Sequence, residues 1–214
     1  VRKGLFISFE GLDGAGKTTQ LQLLHHWLEQ RGVDFLRTRE PGGTPLGVEI
    51  RRLLLERADL HVTPLAEAFL FQADRAQHFA TVIVPALDAG KLVLTDRCFD
   101  SSMVYQGAAR GLGTDLIRRL SLLAMGGRVP DLTILLDLDP AKVHSRTAEG
   151  KDRAHRTHFD QAEEAFHRTL RSAFLALAQA HPERIKVIDA SLPPDVVHAH
   201  IIALIEPLLQ QNEG

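Results

Sequence analysis

The chain has 214 residues, 44% hydrophobic and 24% charged, with a formal net charge of −2. That balance supports a buried core and excludes a disordered chain or one drawn to nucleic acid by bulk charge. No run approaches the roughly 18 apolar residues of a membrane span, and residues 1–9 lack the pattern of a signal peptide.

Residues 4–9 are apolar on both faces and predict a buried strand. A glycine-rich turn follows. Leu21, Leu24, Trp27 and Leu28 then recur at helical spacing, so 18–31 is expected to be a helix stopped by Gly32. A second strand is expected over 33–38, a loop at Pro41-Gly42-Gly43, and a short helix over 46–58. Thr63-Pro64 opens a long helix to about 80, with Leu65, Phe69, Gln72 and Ala76 roughly in register. A second helical piece, or a kink at Pro85, leads to Gly90.

Leu92 to Thr95 reads as a strand with Asp96-Arg97 at its end. Helices are expected from Ser101 to Gly107 and over 115–125. The run 132–138 is the clearest strand, and Pro140 starts another helix. Residues 148–158 are charged and nearly free of hydrophobes, which suits a mobile flap. A helix over 159–180, a strand over 185–188 and a helix after Pro193-Pro194 complete the chain. Five strands alternating with helices call for an α/β fold, with a parallel sheet covered on both faces. A single domain over 1–214 is expected, with its lid at about 146–158.

Gly11-Leu-Asp-Gly-Ala-Gly16-Lys17-Thr18 matches Gly-x-x-x-x-Gly-Lys-Ser/Thr, the phosphate-binding P-loop. Chance would produce this match in about 1% of chains of this length. Its place between a strand and a helix is the required one: glycines turn the backbone N–H groups inward, and the helix N-terminus adds positive potential. Lys17 is suited to the β and γ phosphates and Thr18 to Mg²⁺. Asp96, at the end of another strand, suits a second Mg²⁺-side carboxylate. The donor is therefore ATP or GTP.

Arg39, Arg75 and Arg97 are candidates for clamping an acceptor phosphate. Phe71 and Arg75 lie four apart on one helix face, where they can stack a base and hold a charge. Arg146, Arg153 and Arg156 cluster in or beside the flap and can neutralise a transferring phosphoryl group. Cys98, the single cysteine, excludes an intrachain disulfide and points to the cytoplasm. The eleven histidines match no metal-binding spacing and are expected at surface or capping positions. No Asn/Thr-Lys-x-Asp segment supports a GTPase-type switch, and net charge and size leave little room for an oligonucleotide groove. From these residues alone a kinase of another nucleotide or small metabolite stays open.

The segments Phe9 to Gln20, Arg39-Glu-Pro-Gly-Gly-Thr44, Phe71-Gln-Ala-Asp-Arg75, Asp96-Arg-Cys-Phe-Asp-Ser-Ser102 and Tyr105-Gln-Gly107, in this order, resemble the thymidylate kinase family over essentially the whole chain. The resemblance implies a nucleoside monophosphate kinase fold with a five-stranded parallel sheet, Mg²⁺-dependent transfer from ATP to dTMP, and a homodimer, for which helix 64–80 is the expected interface. It places ATP along Glu10, Gly11, Leu12, Asp13, Gly14, Ala15, Gly16, Lys17, Thr18 and Thr19. It places dTMP among Arg39, Phe71, Arg75, Arg97, Ser101, Tyr105 and Gln106. It implies catalytic roles for Lys17, Asp13, Asp96, Arg97 and Arg153, and no nucleic-acid or membrane partner. Gly14 after Asp13, with an Arg-rich lid, matches the bacterial-type arrangement. The departures are Cys98 where a Tyr is common, for which Phe99 is expected to compensate, Ala154-His155 in the lid, and Phe174 for Tyr.

Overall fold

Five short strands pair as one parallel sheet in a computed structural model that describes residues 4–142 and 158–211, the second segment with side chains from 165 onward. The strands are Leu5–Gly11 (β1), Phe35–Arg39 (β2), Leu92–Asp96 (β3), Leu132–Asp137 (β4) and Ile185–Asp189 (β5), in the order β2-β3-β1-β4-β5. β1 is central and buried throughout, and β3 and β4 nearly so, as continuous apolar runs require. The edge strands β2 and β5 are only partly covered.

Side chains alternate across β1 and feed two cores. Leu5, Ile7 and Phe9 join Leu21, Leu24 and Leu28 of helix Lys17–Gln30 (α1) on one face. The helices His158–Ala180 (α7) and Pro194–Gln211 (α8) close that face through Leu170, Phe174, Val197, Ile201 and Ile205. Phe6 faces the other way, into a cluster with Ala68, Phe79, Ile83, Val93, Ile117 and Met125. Three helices supply that side: Pro64–His78 (α3), Val84–Asp88 (α4) and Thr114–Ala124 (α6). Helix Pro45–Leu55 (α2) packs on α3, and the short helix Phe99–Ser102 (α5) follows β3.

The chain does not kink at Pro85. It passes from α3 through a π-helical turn, Phe79–Ile83, into α4, where Pro85 stands in the first turn. The π turn carries the continuous helix past Pro85, whose missing N–H and ring an ordinary i→i−4 ladder does not accommodate. A second π-helical segment, Met103–Ala109, extends α5. Residues 140–142 are helical, as Pro140 predicts.

One expectation is inverted. On α3, Leu65, Phe69 and Ala76 face outward, while the inner face carries Gln72, Asp74, Arg75 and His78 beside Ala68. The inner face is polar because it closes over the ends of the strands, where the site lies. β1 pairs Phe9 with Asp96, and β2 pairs Arg39 with Asp96, so the loop after β1, Arg39-Glu40 and Asp96-Arg97 share one sheet end. Strand order changes direction at β1, and ligands of open parallel sheets bind outside the carboxyl ends at such a point.

Candidate active site

The loop after β1 is a cradle without a Cβ where it matters. Gly16 takes a left-handed conformation, φ 95°, as the cap of α1, so the helix begins at Lys17 with its amide groups directed into the loop. Lys17 Nζ donates to the carbonyls of Gly11 (3.0 Å) and Leu12 (2.9 Å) and is 93% shielded from water. Burial pulls its ammonium down to about 8, with the Arg97 charge pushing the same way against Asp96 and Asp13. Asp13, Gly14, Gly16, Lys17, Thr18 and Thr19 line a polar cavity with Arg39, Asp96 and Arg97.

Three of the expected ATP contacts are turned away as side chains. Leu12 and Ala15 are core residues. Glu10 is fully buried and accepts from the Cys98 N–H (2.8 Å), the Ser101 N–H (3.3 Å) and the Ser101 hydroxyl (2.5 Å). It clamps the turn after β3 instead of facing a nucleotide. Burial, then the Asp100 charge, raises its carboxyl to about 7 against the pull of Arg97 and the Ser101 and Cys98 bonds.

Asp96 Oδ1 is buried and has no hydrogen-bond partner among the described residues. It shares the cavity with Thr18. Hard oxygen donors and an orphaned carboxylate oxygen fit a Mg²⁺ ion. Among the described residues no group of three or more His, Cys, Asp or Glu could hold a metal. The donor set therefore suits an ion shared with phosphate, not a closed protein cage.

A second cavity adjoins the first. Phe71, Arg75, Ser101, Tyr105 and Gln106 line it, with Cys98, Leu54 and Leu55 as apolar wall. Asp13, Glu40, Arg51 and Arg97 line both cavities, so the two open on each other across a charged wall.

The three arginines expected to clamp one phosphate do not converge. Arg39 is exposed at the end of edge strand β2 and lines only the loop cavity. Arg75 is buried in the floor of the second cavity, where its Nε donates to Glu40 (2.9 Å), Nη1 to Gln72 (2.9 Å) and Nη2 to the Ser102 hydroxyl (3.1 Å). Arg97 alone of the three reaches both cavities. Its Nη2 donates to Asp13 (2.6 Å), its Nη1 to Ser101 (2.9 Å), and it lies 5.4 Å from the Tyr105 ring centroid. It does so from φ 68°, a left-handed backbone rarely taken by a residue with a side chain and typical of strained functional positions.

Four residues escaped the sequence reading. Glu40 and His78 are buried, with His78 Nδ1 3.2 Å from Glu40 Oε1 and Nε2 2.7 Å from Thr38 Oγ1. His78 is thus an interior residue, not a surface or capping one, because β2 and Glu40 enclose it. Arg51 donates to the Pro41 carbonyl (3.0 Å). Glu67 accepts from Gln106 Nε2 (2.8 Å) and Arg110 Nη2 (3.1 Å). Glu40 stood within the segment Arg39 to Thr44 without an assigned role, and the other three offered only charge on a helical stretch. Phe99 is buried in the core with Arg184 4.9 Å from its ring centroid. It backs Cys98 from the core side, and Cys98 itself forms the cavity wall. Arg146, Arg153, Arg156, Ala154 and His155 lie outside the described residues.

Comparison with known proteins bears on this arrangement. Residues 9–201 match a family model described as thymidylate kinase. A thymidylate kinase of Clavibacter sepedonicus is 50% identical over 206 residues, 96% of each chain. One from Bifidobacterium longum subsp. infantis is 49% identical over 212 residues, 98% of this chain and 89% of that one. One from Deinococcus radiodurans is 47% identical over 203 residues, 95% of this chain and 97% of that one. With the parallel sheet, the phosphate loop and the paired cavities in place, the chain belongs to the thymidylate kinase family.

Proposed function

We infer that this enzyme transfers the γ-phosphoryl group of ATP to the phosphate of dTMP, giving ADP and dTDP. The observation that carries the reading is the charged wall of Asp13, Glu40, Arg51 and Arg97 shared by the two cavities. Donor phosphates over the loop and an acceptor phosphate in the second cavity meet at that wall. In this reading Phe71 stacks on thymine, Arg75, Gln106 and Ser101 lie along the base and its edge, and Tyr105 lies beside the sugar. Arg97 and Arg51, with Arg39 on the donor side, take the phosphates.

The reaction needs no covalent intermediate. An acceptor phosphate oxygen attacks the γ-phosphorus in line, and the protein positions both groups and spreads charge over the equatorial oxygens. Lys17 leaves the loop carbonyls for the β and γ phosphates. Asp13 holds Arg97 at the junction. Thr18 and Asp96 would hold Mg²⁺, which when bound supplies positive charge to the phosphates. Arg153, with Arg146 and Arg156 behind it, is the candidate for the remaining charge on the transferring group. Arg153→Ala is expected to lower kcat far more than it raises KM for dTMP.

We place the enzyme in the cytoplasm as a homodimer. Leu65 and Phe69 on α3 and Leu123 on α6 are exposed, at 45%, 53% and 81%, and α3 packs on α6. Apolar side chains that open to water on adjoining helices suit a second copy of the chain. No helix of the described residues is long and apolar enough to cross a membrane.

The test is ADP release from Mg²⁺-ATP with dTMP, dUMP, UMP, dCMP, dGMP and AMP as acceptors. A strong preference for dTMP supports the reading. A preference for another monophosphate would overturn the base-site assignments while leaving the donor site intact.

A further inference from the structure

We propose that Glu67 is the positioning residue that makes the acceptor site select thymine over cytosine, acting through the amide of Gln106. The inference rests on the acceptor reading above and adds the device that sets its specificity.

The argument begins with hydrogen-bond chemistry. A glutamine amide has one end that donates and one that accepts, and its neighbours decide which end faces a ligand. Gln106 is 3% exposed and lines the second cavity with Glu67 and Arg110. Its Nε2 donates to Glu67 Oε1 at 2.8 Å. A carboxylate only accepts, so the opposite orientation would set two acceptor oxygens against each other. The other Glu67 oxygen is held by Arg110 Nη2 at 3.1 Å, which fixes the carboxylate in turn. Oε1 is therefore the polar end that Gln106 offers to an occupant of the cavity.

Arg75 lines the same cavity and is a donor without any acceptor capacity. Its N–H groups are taken up by Glu40, Gln72, Ser102 and Ser121, so it sets the charge of the cavity floor and Gln106 supplies the pairing group. The acceptor from Gln106 matches the N3–H of thymine. It opposes the bare N3 of cytosine, which is itself an acceptor. Sites that leave buried polar groups unpaired with the wrong ligand discriminate by about 10⁴-fold or more, against about 10- to 200-fold for one methyl group. The Glu67–Gln106 bond thus carries more selectivity than the thymine methyl. Both Glu67 oxygens are held, by Gln106 and Arg110, so it acts on the base through Gln106, which makes it a positioning residue.

The experiment compares kcat/KM for dTMP and dCMP in the wild type, Glu67→Gln, Arg110→Ala and the exchange Glu67→Lys with Arg110→Glu. Circular dichroism and thermal midpoints check folding. In Glu67→Gln the neighbour can donate or accept, the Gln106 amide can invert, and the dTMP/dCMP ratio is expected to fall at least about tenfold. Lysine only donates, so the exchanged pair turns the Gln106 oxygen toward position 67 and lowers the ratio by about 100-fold or more. Arg110 is exposed, and Arg110→Ala gives a smaller fall in the same direction, so the idea is tested even where a Glu67 variant is unstable. A general loss of structure would lower both rates together. A folded Glu67→Gln and a folded Arg110→Ala that keep the wild-type ratio would overturn the proposal and leave the acceptor assignment standing. A wild type without preference for dTMP would remove the acceptor assignment itself, and the proposal with it.

Discussion

Arg75 and Glu40 form an ion pair from which water is excluded, Nη2 to Oε2 2.8 Å with each side chain 2% exposed. Burial alone would raise the Glu40 carboxyl. The Arg75 charge and the His78 hydrogen bond outweigh it and hold the group below its ordinary value of 4.5. A carboxylate depressed on folding contributes stability above its unfolded pKa and loses it as pH falls through the folded one.

Glu40→Gln is therefore expected to cost about 3–5 kcal/mol near neutral pH, because Arg75 is left buried without its counter-charge. Urea unfolding from about pH 6 to about pH 3 should show an acid loss in the wild type that the variant lacks in part. Parallel acid curves for the two proteins would contradict the pairing.

Glu10 has the opposite sign. Burial and Asp100 lift its carboxyl from 4.5 to about 7. Across that window the native state holds a proton that the unfolded chain has released, so stability falls as pH rises. Relative to Glu10→Gln, the wild type should lose on the order of a few kcal/mol between about pH 5 and about pH 8. Glutamine keeps an oxygen for the Cys98 and Ser101 N–H groups, so the variant folds. An equal slope in both proteins would remove Glu10 as the titrating group.

Lys17 titrates where the enzyme works. Its free-enzyme value of about 8 means that the ammonium loses its proton above that pH. The ratio kcat/KM for ATP should fall above about pH 8 toward one log unit per pH unit, while kcat holds to higher pH because bound phosphates favour the charged form. Lys17→Ala should lower kcat by about 10²-fold or more with a small change in KM for dTMP, and its residual rate should lose the alkaline limb. Stopped assays over about pH 6–10 decide this; an alkaline limb retained in Lys17→Ala would assign it elsewhere.

Phe69→Glu and Leu123→Glu place charges on the exposed apolar face of α3 and α6. Sedimentation should show the wild type as a dimer and each variant shifted to monomer, with dichroism unchanged. A wild type that sediments as a monomer at micromolar concentration would refute the interface.

The sheet and the loop were readable because each has a local cause. β1 and β4 are mostly apolar runs, and Gly11, Gly16 and Lys17 stand at a fixed spacing. Asp96 could be read from its place at a strand end and Phe71 from the helix face it shares with Arg75, whereas Tyr105 and Gln106 came only from the resemblance to the family. The inner face of α3 could not be read. Periodicity aligns Leu65, Phe69, Gln72 and Ala76, whereas the chain turns Leu65, Phe69 and Ala76 outward and buries Gln72 with Asp74, Arg75 and His78. Hydrophobic pattern reports burial by the chain itself, and it misleads where a polar site lies inside and an apolar face stays open. The separation of Arg39, Arg75 and Arg97 is likewise a matter of three-dimensional placement that spacing alone cannot convey.

The π-helical segment Met103–Ala109 holds both Tyr105 and Gln106. A π turn carries about one residue more than an α turn, and each residue of an α-helix rotates the next side chain by about 100°. The cavity therefore depends on helical phase as well as on side-chain chemistry. Removing a single residue between Ser102 and Tyr105 while the π winding is kept would swing Gln106 about a quarter-turn from Glu67. A chain could keep every residue that touches the acceptor and still lose its aim by one deletion.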